Sequence, residues 1–195
     1  MRRIAIISVF LALLVSCAET KVQDNSISVI PEPMYCRADE GVFVIDKDTK
    51  IVVDDLSEEM QRIAGFLNEK LSKAAGFELE IVKDGPMPRE NFIAFRIAGL
   101  QSESYEINVV PQHILVDYGD GAGAFYALQT LFQLLPVEIF SQELQKRVDW
   151  TVPCCNIDDK PRFKYRGMHL DVCLHYFDLE FLKKYIDIMA AHKVN

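Results

Sequence analysis

The sequence has no C-x-x-C pair, no basic run interleaved with aromatics, no internal repeat and a single tryptophan, Trp150. The first absence removes zinc-ribbon and thioredoxin-type frameworks, which hold their sulfurs at that spacing. The second, with a formal net charge of −8, argues against nucleic acid and anionic lipid head groups as partners, because binding a phosphate backbone needs cationic density. Long apolar runs are missing too. The one candidate, residues 4–15, is interrupted by Ser8 and is too short to span a bilayer as a helix. What remains is globular composition, 50% hydrophobic and 26% charged over 195 residues, enough for one or two domains and unlike a disordered chain.

The short apolar run has a different use. Arg2 and Arg3 precede it, and Leu14-Val15-Ser16-Cys17 comes at its end. A basic start, a short apolar centre and small residues before a cysteine resemble the bacterial lipoprotein signal, in which Cys17 is lipidated and becomes the new N-terminus. Ordinary secretory cleavage near Ser16 and an uncleaved anchor are the alternatives. The lipoprotein reading implies export, a lipid anchor in the cell envelope (periplasm or cell surface) and the membrane as a partner through that lipid. Of the other cysteines, 36, 154, 155 and 173, the adjacent pair is hard to bridge without strain, and Cys154, Cys155 and Cys173 are expected to be buried free thiols.

After a polar tether, residues 18–27, the pattern of a folded domain begins. Strands are expected at 41–45, 50–53, 77–82, 91–98, 105–109 and 114–118. Asp55 with Glu58, or Ser57 alone, is a candidate cap for a helix to about Ala75 whose apolar face carries Met60, Ile63, Leu67 and Leu71, with Gly76 as a left-handed stop. Gly119-Asp120-Gly121-Ala122-Gly123 leads into a second helix, 124–135. Ala124 leaves G-x-G-x-x-G incomplete and the preceding strands read as hairpins, so the glycines suit a tight turn needing positive φ rather than a phosphate loop. Residues 136–153 read as a connector. Residues 164–172 read as a strand, 178–192 as a helix capped by Asp178, and Val194-Asn195 as the first step of another strand. The fold class expected is α+β: a mainly antiparallel sheet with helices on one face, followed by the first strand and helix of an incomplete (β/α)8 barrel. The boundaries drawn are 1–17, 18–27, 28–153 and 154–195.

Several motifs in order resemble the β-N-acetylhexosaminidases of glycoside hydrolase family 20. They are Ile30-Pro31-Glu32-Pro33, Glu103-Ser104-Tyr105, Gly123-Ala124-Phe125-Tyr126-Ala127-Leu128-Gln129, Tyr165-Arg166-Gly167 with Leu170-Asp171, and Ile186-Asp187-Ile188-Met189-Ala190. Tyr165-Arg166-Gly167-x-x-Leu170-Asp171 favours this family over other glycosidases with similar small leading domains. The resemblance implies a small α+β domain before a catalytic barrel, a glycan with a terminal N-acetylhexosamine as substrate, and no cofactor or metal. It also implies substrate-assisted retaining hydrolysis, in which the acetamido oxygen attacks its own anomeric carbon while an Asp-Glu pair orients it and supplies the proton.

The family's Asp-Glu pair belongs to a later barrel strand, so no catalytic residue is expected in these 195 residues and the chain taken alone is expected to be inactive. Asp39-Glu40, the one adjacent pair, reads as surface. Where the family has Leu-Asp-x-x-Arg-His, this chain has Leu170-Asp171-Val172-Cys173-Leu174-His175, so Leu174 stands in the place of an arginine that binds the terminal sugar. Asp171 and His175 are candidates for the active-site rim. His169, Asp171 and His175 read as packing rather than metal-binding residues, and Tyr176 and Phe177 as packing. The alternative function is a non-catalytic remnant, or a glycan- or protein-interaction module at the envelope, which glycan binding by 28–153 alone would reveal.

Overall fold

The computed structural model describes residues 27–54, 57–83 and 88–195. Cys17, the signal segment, all but the end of the tether, and Asp55 therefore lie outside the described residues. In chain order the elements are β1 (Tyr35–Val44), β2 (Lys50–Val53), α1 (Glu58–Ala74), β3 (Glu80–Lys83), β4 (Phe92–Ile97), β5 (Tyr105–Val110), β6 (His113–Tyr118), α2 (Gly121–Leu134), a 3-10 turn (Val137–Phe140), β7 (Thr151–Asp159) and α3 (Leu179–Ala191).

The strands form one seven-stranded sheet in the order β1-β7-β5-β6-β4-β2-β3. The class is α+β, and the sheet itself is mixed. β1, β7, β5 and β6 pair antiparallel, whereas β6, β4, β2 and β3 pair parallel. The parallel half corrects the hairpin reading of the early strands. β2, α1 and β3 make a helical crossover, and a strand that returns after a helix laid over the sheet runs in its original direction. Its strands still alternate sides, with Ile51, Val53, Ile93 and Phe95 inward.

Both sheet-covering helices lie on that inner face. α1 starts on Ser57, whose hydroxyl accepts from Met60 N, and turns Met60, Ile63, Ala64, Leu67, Leu71 and Ala74 into the core. It stops at Gly76, which adopts φ +79 as expected of a left-handed cap. α2 is capped by Asp120 and buries Ala124, Ala127, Leu128 and Leu131. The glycines before it do not have positive φ, contrary to expectation. A Cβ on Gly119 would stand 2.0 Å from Gln101 O, and one on Gly123 2.3 Å from Ser104 O. They are needed for close approach to the 101–104 turn, not for handedness.

The sequence pattern does not predict β7 as one strand. It begins where composition shifts, at Thr151, and continues to Asp159 inside the sheet between β1 and β5. Cys154 and Cys155 lie on it, buried and unpaired, and burial pushes the Cys155 thiol up to about 12. Cys173 is exposed instead of buried. The stretch 164–172 forms no ladder among the described residues, because a strand requires a partner strand. Its backbone is bonded to Asn195 alone among later residues, Arg166 O accepting from Asn195 N–H at 3.0 Å, Arg166 N–H donating to Asn195 Oδ1 at 3.0 Å and Lys164 O accepting from the Asn195 amide at 2.9 Å, apart from the Lys193 carbonyl held by the Arg166 side chain. α3 is capped by Asp178 as expected, yet none of its residues is fully buried. Tyr176 is exposed, and Phe177 stacks on Phe181 with ring centroids 4.3 Å apart.

Candidate functional site

Leu174, in the place of the sugar-binding arginine, and the two rim candidates Asp171 and His175 lie on the surface. Leu174 is 82% exposed, and Asp171 and His175 are exposed beside it. Asp171 accepts from Cys173 N at 2.8 Å, a local turn bond. Of the adjacent pair read as surface, Asp39 is bound by Arg37 at 3.2 Å and by the Asn156 amide at 2.8 Å.

The polar centre of the molecule lies elsewhere, where residues 161–195 return onto the sheet. Its placement begins with the Gly119–Gly123 close approach. With no Cβ in the way, the 101–104 turn lies against the start of α2. Asp120 accepts from Glu103 N at 3.0 Å and from the Ser102 hydroxyl at 2.6 Å. Glu103 is thereby held at φ +63, an uncommon conformation for a residue with a side chain. Its carboxylate meets Arg166 Nη2 at 2.6 Å and accepts from the Tyr126 hydroxyl at 3.1 Å. Arg166 also donates from Nη2 to the Tyr126 hydroxyl and from Nε to Lys193 O, at 2.9 and 2.8 Å.

Deeper in, Lys193 is 6% exposed and its ammonium donates to Asp159 Oδ2 at 2.8 Å and to the Tyr105 hydroxyl. Tyr105 donates to the same carboxylate oxygen at 2.8 Å and lies 2.7 Å from the Thr130 hydroxyl. Asp159, at the end of β7, accepts on its other oxygen from Met34 N. Lys193 is itself in the left-handed region, at φ +56. A cavity of about 300 Å³ adjoins both pairs, with Pro31, Met34, Phe163, Arg166 and Lys193 among its walls.

The electrostatics stem from pairing and burial. The hydrogen bond from Arg166 holds the Glu103 carboxyl below the usual carboxylate range. Burial pushes the Tyr105 phenol up, and Asp159 adds to that. Burial lowers Lys193 against the opposing pull of Asp159. Such a cluster is suited to holding surfaces together rather than to bond cleavage. A general acid near neutral pH needs a raised carboxyl pKa, and Glu103 is shifted the other way. Lys193 and Tyr105 are engaged by each other and by Asp159, and Tyr105 also by Thr130.

In the sequence, Glu103, Tyr105, Tyr126 and Arg166 stand as motif residues without partners. The signal available is acid and base in separate motifs, Glu103 and Arg166. Nothing local says that two residues 63 positions apart touch. Asp159 and Lys193 carry no signal at all.

Similarity to known proteins agrees with this geometry. Residues 26–160 match the profile described as Glycosyl hydrolase family 20, domain 2, and residues 163–195 match Glycosyl hydrolase family 20, catalytic domain. A β-hexosaminidase of Porphyromonas gingivalis is 38% identical over 175 residues, covering 88% of this chain and 22% of its own length. The GH20 β-N-acetylhexosaminidase of Streptomyces coelicolor superimposes with a TM-score of 0.77 at 32% identity, over 86% of this chain and 33% of that one. A mutant β-hexosaminidase of Streptomyces plicatus, solved in complex with its product GlcNAc, gives 0.77 at 33% identity over the same shares, 86% and 33%. The chain thus spans between a fifth and a third of the length of these relatives. Matched by the family's domain 2 over the sheet, and by its catalytic domain over residues 163–195, the chain belongs to glycosyl hydrolase family 20.

Proposed function

We propose that this chain is the N-terminal part of an exported, lipid-anchored β-N-acetylhexosaminidase, and that residues 1–195 by themselves do not hydrolyse glycosides. The observation that carries the reading is the order of the two family matches, 26–160 then 163–195, on a fold that superimposes on GH20 enzymes at a TM-score of 0.77. In the longer protein the substrate is a glycan with a terminal non-reducing N-acetylhexosamine. The substrate's own acetamido oxygen attacks the anomeric carbon, and an Asp-Glu pair beyond Asn195 orients that group and donates the proton. Two observations support inactivity of the 195 residues: Asp39-Glu40 is the one adjacent Asp-Glu pair, and Glu103 is held ionised by Arg166. Leu174 leaves the sugar without its arginine contact.

Purified 1–195 protein given an aryl N-acetyl-β-glucosaminide is expected to release no aryl alcohol above buffer; measurable release overturns the inactivity. Reading the gene past the Asn195 codon is expected to continue into the barrel and reach an adjacent Asp-Glu pair. A stop codon directly after Asn195 overturns the assignment to a longer enzyme. For the anchor, metabolic labelling with palmitate is expected to mark the wild-type chain and not Cys17→Ser; equal labelling of both rules out Cys17 as the site.

A further inference from the structure

Residues 161–195 touch the sheet domain through two kinds of surface, and only one is well made. The apolar side is loose. α3 has no fully buried residue, and hollows of about 390 and 400 Å³ lie along it, both walled by Phe66 and Phe125 of the domain. The polar side is closed. Lys193 is buried while its neighbours His192 and Asn195 are not, and its pair with Asp159 is the most enclosed ion pair among the described residues. We propose that the pairs Lys193–Asp159 and Arg166–Glu103 form a docking clasp that sets the position of residues 161–195, as one unit, on the sheet domain.

Three features support this role over incidental pairing. The clasp grips both ends of the unit at one place. Arg166 lies before α3 and Lys193 after it, and they are tied together by Arg166 Nε to Lys193 O and by Asn195 N to Arg166 O, at 2.8 and 3.0 Å. Next, Lys193 is the left-handed residue that closes α3, at φ +56, with its own N–H bonded to Ala190 O and that of Val194 to Met189 O, both at 3.0 Å, so the helix end fixes where the ammonium is presented. Finally, the pairs are directional in a way that the loose apolar side is not. Sliding α3 by one residue would leave the Asp159 carboxylate and the Tyr105 hydroxyl buried without the ammonium, whereas apolar contacts tolerate such slips. Asp171, Leu174 and His175 lie five to nine residues beyond Arg166, so the clasp fixes the end of the unit from which they project. This inference concerns docking, and it stands whether or not the longer protein is an enzyme.

Amide hydrogen exchange on the full 195-residue chain tests it. In Lys193→Met and in Arg166→Met, amides of α3 are expected to lose protection by about 100- to 1,000-fold, the effect of stranding a buried partner, while those of β4, β5 and β6 keep theirs. Retained α3 protection in both variants shows that apolar contacts hold the unit, and overturns the clasp. Equal loss in α3 and the sheet shows that these pairs belong to the global core, and overturns it too. Arg166→Met keeps the test decisive if Lys193→Met does not fold, because its partner Glu103 lies on a turn outside the sheet.

Discussion

Glu103 concentrates at one residue the forces that shape the junction. Its φ of +63 is imposed by Asp120 and its charge is claimed by Arg166. A carboxyl whose folded pKa lies below its unfolded value stabilises the fold fully above the unfolded value, near 4.5, and loses that contribution as pH falls through the folded value. Urea midpoints of wild type and Glu103→Gln are therefore expected to differ at pH 6 and to converge as pH drops below 4.5; a gap independent of pH would show that charge is not what Glu103 contributes. Gly123 is constrained differently. Gly123→Ala drives a Cβ to 2.3 Å from Ser104 O, and that contact is with backbone, which has little room to give. A loss of about 1–3 kcal/mol in stability is expected by chemical denaturation, the usual cost of overpacking. If the function proposed above holds, Leu174→Arg in that longer enzyme is expected to raise kcat/KM about 10- to 150-fold, from one restored charge-assisted hydrogen bond; an unchanged kcat/KM would show that Leu174 does not stand in a sugar-binding position.

Among the elements, α1 and α3 are opposites. Both begin at a capping oxygen, Ser57 or Asp178, and both carry an apolar stripe. α1 buries its stripe against the sheet, and Leu67, wholly enclosed, is expected to cost about 2–5 kcal/mol when cut to alanine. α3 leaves Leu179 and Ile186 in the open. Its propensity and cap make it a helix, but too little surface covers it to make it core. β7 has a third character: through the sheet it joins the edge strand β1 to β5, so residues 151–159 are tied to the domain by ladders on both sides.

For the molecule as a whole, these differences predict where the chain opens. The stretch 167–177 has no ladder among the described residues, and most of its side chains are exposed. Limited proteolysis is expected to cut there before it cuts within the strands and helices of the sheet domain, as read by mass spectrometry of the early fragments. A first cut within β7, or none in 161–195, would contradict the packing described.

Much of this is legible in residue order alone. The seventeen-residue α1 shows its face in the spacing of Met60, Ile63, Leu67 and Leu71, Gly76 marks its stop, and the motifs around Tyr126 and Arg166 carry the family, because all of these are local patterns. Strand pairing is not local. Whether β2 meets β3 and β4 in parallel depends on α1 lying over the sheet, and β7 reads as connector until β1 and β5 are on either side of it. The junction is least legible: Asp159 and Lys193 are 34 residues apart and look like surface charges. Sequence by itself determined which segments curl and to what family the chain belongs, since propensity, periodicity and motif act over a few residues; it left β7 as a connector and read 164–172 as a strand, because extension holds only where a partner strand stands beside it. Only the tertiary structure decided which charges are buried together, because the cost of removing a charge from water, and the partner that offsets it, exist only once distant segments have closed over both.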